Sequence, residues 1–218
     1  RAWGAKHTAY VVPPIVWQDL WSPKTFVALV LASLLFGWAG RLFVHLQLGF
    51  RSVYARISHV WWLPPIAGGC LLIGASQTSL LSDYLGLGTW STNADAVTLA
   101  SAFTPGGATD LSWILKLTLT ALSLASGFKG GEVTPLFFIG ATLGNTFASQ
   151  LHLAPPLFAA LGFVAVFAGV AHTPLTGTLL AAELFGPEFS LLFAPVCWLA
   201  HRACGSAGIY SGQFPHKS

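Results

Sequence analysis

The chain has 218 residues and a formal net charge of only +3 at pH 7; 54% of it is apolar and 8% charged, with a mean hydropathy of +0.68. Soluble domains carry about 25% charged residues, so this composition excludes a water-coated globule and reads as an integral, multi-pass membrane protein. The small, scattered positive charge gives no basis for nucleic-acid binding. Nine Trp and four Tyr suit anchoring at the membrane interface. The apolar runs are long and lack two-residue alternation, which argues for helices rather than a β-barrel. Cys70, Cys197 and Cys204 lie in or beside apolar segments without metal-ligand spacing, so they read as packing residues, and no metal or cofactor is expected. The chain opens on Arg1-Ala2-Trp3-Gly4 and contains no Met, from which a start further upstream is expected.

In chain order, residues 1–24 are mixed and Trp-edged, as for an interfacial segment. Residues 25–48 predict a spanning helix, long enough for a hydrocarbon core of about 30 Å. Arg41, Arg51 and Arg56 at its end place the following connection on the cytoplasmic side. A second helix is predicted over 61–81, starting at Pro64-Pro65. Residues 82–110 are polar and Gly-rich, a loop around a short helix at 95–103.

From residue 111 the apolar pieces become short and broken: 111–127, 135–151, 156–171, 174–185 and 189–203. Each is cut by Gly or Pro, at Gly127, Pro155-Pro156, Thr173-Pro174 and Gly186-Pro187. Discontinuous helices whose N-termini meet inside the bilayer are how transporters build ion sites.

The run Gly130-Gly131-Glu132-Val133-Thr134-Pro135 stands out, because it sets a lone carboxylate amid apolar sequence. A charge at bilayer depth is costly and usually marks an ion pathway or proton relay. The two glycines and Thr-Pro read as a break followed by a fresh helix, with Thr134 as N-cap and Pro135 first in the helix. A helix start carries free N–H groups and partial positive charge, which suits an anion. The competing reading is a carboxylate at a wet helix start that only stabilises the dipole. Thr173-Pro174 repeats the device. His172 is read as making a local hydrogen bond, Glu183 as a structural or helix-end residue, Glu188 as a solvated charge, and Asp83, Asp95 and Asp110 as loop or cap residues. Tyr210, in Gly208-Ile209-Tyr210, is an interfacial anchor or an anion donor. Nothing here supports a hydrolase, kinase or other enzyme.

On these residues the chain resembles the C-terminal half of CLC-type chloride channels and anion/proton antiporters. Gly131-Glu132-Val133-Thr134-Pro135 sits where that family has its Gly-x-Phe-x-Pro motif, and Gly208-Ile209-Tyr210 is similar to the segment supplying its anion-binding tyrosine. The variant Gly-Gly-Glu-Val-Thr-Pro-Leu is most like the fluoride/proton antiporter branch. The resemblance implies an all-α CLC-type fold of two inverted repeats, of which residues 1–218 form one. It also implies a homodimer in a bacterial inner membrane, and a missing N-terminal half that holds a gating glutamate.

It further implies that Gly131, Glu132, Val133, Thr134 and Tyr210 bind the anion, with Glu132 coupling protons. Fluoride is small and strongly hydrated, so it demands hard donors such as backbone N–H, the Thr134 hydroxyl and the Tyr210 phenol. Chloride tolerates the Phe edge that Val133 replaces. A chloride or nitrate carrier of the same fold stays open. So does a non-transporting membrane fragment packing on a partner through faces such as Ala159-Ala160 and Gly162.

Overall fold

The computed structural model describes Val12 and residues 22–57, 60–91, 93 and 95–210. Most of the expected interfacial segment 1–24 therefore lies outside the described residues. Among those described, regular structure is all helical, with no strand. Helix α1 spans Pro23–Ile57, α2 Leu63–Ser76, α3 Ser79–Ser82 and α4 Ser112–Ala125. Then come α5 Val133–Gln150, α6 Pro155–Val170, α7 Pro174–Phe185 and α8 Ser190–Cys204.

Proline and glycine punctuate the second half as expected. Pro155 and Pro174 occupy the first turns of α6 and α7, and Gly186 ends α7 at φ 121°. Proline fits a first turn because its missing N–H would have no helical partner there.

Three expected elements differ. First, α1 continues to Ile57, so Arg41 and Arg51 lie within the helix, and Arg56 alone of the three falls in its last turn. Second, the single helix expected over 61–81 stops at Ser76, because Thr78 turns extended and gives its hydroxyl to the Ala75 carbonyl at 2.7 Å. Third, the helix expected over 95–103 shrinks to a 3₁₀ turn, Ser101–Phe103. There Thr98 and Ser101 exchange side chain to backbone hydrogen bonds of 2.9 and 3.1 Å, and the Ser101 hydroxyl donates to the Gly107 carbonyl at 2.8 Å. Such local bonds offer the backbone an alternative to the helix ladder.

Helix α6 is apolar around its whole circumference and lies at the centre, packed by α5, α8, α1 and α7. Phe36 and Phe43 of α1, Phe138 of α5, Phe163 of α6 and Phe193 of α8 fill the core. Phe137 and Phe163 stack at a centroid distance of 4.0 Å. Helices α5 and α6 approach backbone to backbone, and a Cβ on Gly140 or Gly162 would strike the other's carbonyl oxygen. Ala159, Ala160 and Gly162 are thus buried inside this chain, and they are not free for the partner surface expected of them.

Among the described residues, α1 is the one helix long and apolar enough to cross a membrane unaided. Helices α2, α4, α6 and α7 are apolar but shorter.

Candidate functional site

The helical run breaks between α4 and α5, and the segment 127–132 in that gap lines two cavities. The larger, about 880 Å³, is lined by Glu132 and Lys129 of this segment, by Arg41, His45, Gln47 and Arg51 of α1, and by the Ser206–Ile209 stretch. The smaller, about 440 Å³, is lined by Gly131 and Pro135 among others, and both cavities share Phe128, Lys129 and Gly130.

Helix α5 starts one residue earlier than the cap-then-proline pattern suggests. Glu132 is the N-cap by position, its carbonyl accepting from the Leu136 N–H at 3.2 Å, and its own side chain makes no cap bond. Val133 and Thr134 are already helical, so Thr134 is not the N-cap expected of it. Proline fits anywhere in a first turn, and here Pro135 comes third. Helix geometry leaves the N–H groups of Glu132, Val133 and Thr134 without intrahelical partners, since the first bond is that of Leu136. Positive partial charge therefore concentrates beside the carboxylate.

Glu132 is partly buried, and its Oε1 accepts a hydrogen bond from Gln47 Nε2 at 3.3 Å. Val133 and Thr134 are partly buried and Gly131 is exposed. Gly130 and Gly131 have no left-handed φ, and a Cβ on either would meet nothing within 4 Å. Neither backbone conformation nor packing among the described residues calls for glycine there.

Tyr210 sits at the end of the described residues, 47% exposed and next to Ile209, which lines the large cavity. The stretch leading to it is held by Ile209 N–H donating to Val170 O at 3.3 Å, and by His172 Nε2 3.1 Å from Ala207 O. His172 thus makes a hydrogen bond, though to a residue 35 positions away and not the local one expected of it. Thr173 and Pro174 do occupy the cap and first positions of α7, though the Thr173 hydroxyl is buried without a hydrogen-bond partner among the described residues. Glu183 and Glu188 are exposed, in the last turn of α7 and in the 3₁₀ turn Pro187–Phe189. Cys197 and Cys204 are buried, whereas Cys70 is exposed.

Sequence reasoning missed Gln47, His45 and Lys129, and it gave Arg41 and Arg51 only a topological meaning. The spacing Arg41, His45, Leu48, Arg51 does mark one face of α1. Lys116 was also missed, though a single cation in an apolar helix is the same signal that flagged Glu132. Fully buried in α4, its ammonium donates to the Tyr84 carbonyl at 3.1 Å and to the Gly86 carbonyl, and lies 5.2 Å from the Phe138 ring centroid of α5. Gly88 closes this clamp at φ 72°, where a Cβ would lie 2.7 Å from the Phe138 ring. The 84–88 loop is thereby fixed to the first turns of α5. Lys116→Met fills similar volume but leaves two carbonyls unpaired, at a cost of about 2 kcal/mol. Thermal unfolding in detergent should fall accordingly, and hydrogen exchange over 84–88 should rise.

Short helices whose ends meet beside a cation-lined cavity suit a membrane protein that handles anions. The family described as voltage gated chloride channel matches residues 1–205, and the chain belongs to this CLC family of integral membrane transporters and channels. A chloride/fluoride channel protein of Pseudomonas syringae pv. tomato is 41% identical over 219 residues, covering 98% of this chain and 46% of that protein. The H(+)/Cl(-) exchange transporter ClcA of Cronobacter sakazakii is 29% identical over 168 residues, covering 71% and 34%. The crystal structure of a CLC-type fluoride/proton antiporter superposes with a TM-score of 0.84 at 30% identity, covering 96% of this chain and 51% of that one. The chain spans about half the length of these proteins or less.

Proposed function

We propose that the chain is the C-terminal half of a CLC-type antiporter that expels fluoride in exchange for protons. The protein would be multi-pass and homodimeric in a bacterial plasma membrane. The observation that carries this reading is Glu132. It is a carboxylate at the start of α5, facing a cavity whose other charged walls, Arg41, Arg51 and Lys129, are cationic. Cations raise the local anion concentration, and a carboxylate among them is the group able to carry a proton past an anion.

In this mechanism fluoride rests at the free N–H groups of Glu132, Val133 and Thr134. The bare backbone of Gly131 lets it approach closely, and the Thr134 hydroxyl and Tyr210 phenol add hard donors. Glu132 takes up a proton from the side to which fluoride leaves and releases it on the side from which fluoride enters, so that proton and anion move in opposite directions. The missing N-terminal half supplies the opposite wall. The likeness to a CLC-type fluoride/proton antiporter supports fluoride over chloride.

The test is efflux from proteoliposomes of the full-length protein, with fluoride, chloride and nitrate compared in the same vesicles. Fluoride efflux accompanied by proton uptake is expected. Chloride or nitrate efflux without fluoride efflux would assign the chain to a carrier of those ions. Flux of none of them would leave it a packing fragment.

A further inference from the structure

We infer that Gln47 is a positioning residue for Glu132, holding its side chain at the cavity wall in both protonation states. The inference rests on the proton-carrier role proposed for Glu132. The two residues are 85 apart in sequence, yet Gln47 Nε2 lies 3.3 Å from Glu132 Oε1 and both line the large cavity. Helix α1 is a firm platform for this contact, being packed on α4, α6 and α8.

A primary amide is suited to a partner that changes charge, since it carries both a donor and an acceptor. Its NH₂ donates to the carboxylate. Turned over, its carbonyl accepts from the carboxylic acid. Gln47 itself neither gains nor loses a proton; the proton passes between Glu132 and water in the cavity. A cation at position 47 would favour the carboxylate and resist its protonation, and an anion would do the reverse. The other charged or titratable groups on this cavity are Arg41, His45 and Arg51 of α1 and Lys129 of the 127–132 segment; α4 and the Ser206–Ile209 stretch contribute none.

The experiment uses the full-length protein in proteoliposomes, with fluoride efflux read by electrode and proton uptake by an internal pH-sensitive dye. Gln47→Leu should lower fluoride-driven proton uptake roughly tenfold, the scale of one hydrogen bond to a charged group. The pH of half-maximal exchange should move down by about one unit in Gln47→Lys and up by about one unit in Gln47→Glu. Opposite shifts place the side chain at position 47 against the Glu132 carboxyl, so this pair tests the contact even where Gln47→Leu does not reconstitute. Wild-type coupling ratio and an unmoved pH midpoint in the polar variants overturn the inference. Absence of fluoride-driven proton uptake in the unsubstituted protein overturns the reading of Glu132 as well.

Discussion

Glu132→Gln in the full-length protein is expected to abolish proton uptake driven by a fluoride gradient, with a loss on the order of a hundredfold or more. Glutamine keeps the size of the side chain and its ability to hydrogen-bond Gln47, but it cannot gain or lose a proton. The substitution therefore separates shape from protonation. Protein yield and thermal stability should stay close to wild type, because Glu132 is only partly buried and its side chain caps nothing. Gly131→Ala makes a useful companion. Its Cβ meets nothing within 4 Å among the described residues, so stability should be unchanged while fluoride efflux falls severalfold as the methyl blocks approach to the backbone. Undiminished proton coupling in Glu132→Gln would remove the carboxylate from the mechanism. It would leave that residue the competing role of stabilising a helix dipole.

How far such a site can be read from sequence depends on which physics sets it. The boundaries of α5 to α8 were legible within a residue or two, because Pro155, Pro174 and Gly186 stop or start helices by local sterics alone. Glu132 was legible because a lone charge in apolar sequence carries its cost wherever the chain folds. The cap assignment at Thr134 failed for a local reason: proline is equally at home at several positions of a first turn, so Thr-Pro marks a start without fixing its register. The helix expected over 95–103 failed because Thr98 and Ser101 satisfy the backbone themselves. Gln47 lay beyond reach, since its meaning depends on meeting Glu132 across a tertiary contact. Ala159, Ala160 and Gly162 show the same limit from the other side. Small residues announce close helix contact, but they do not say whether the contact lies within the chain or between chains.

That inner contact carries the other large effect. Gly162→Ala is expected to destabilise the protein by about 3 kcal/mol or more, a large part of a typical stability of about 5–15 kcal/mol. Helix propensity alone gives the opposite sign, since alanine is better than glycine in a helix interior by about 1 kcal/mol. The geometry decides between them. A Cβ on Gly162 would overlap the Gly140 carbonyl and come within 2.9 Å of the Phe36 ring. A backbone carbonyl held in the α5 ladder has no rotamer by which to give way. The two helices must therefore part, which also disturbs the Phe137–Phe163 stack and the start of α5 where Glu132 sits. Gly144 meets the Phe158 carbonyl in the same way, so Gly144→Ala should behave alike. Thermal unfolding followed by size-exclusion chromatography in detergent measures both. A raised melting temperature in either variant would mean that α5 and α6 do not approach this closely, and that propensity rather than contact governs these positions.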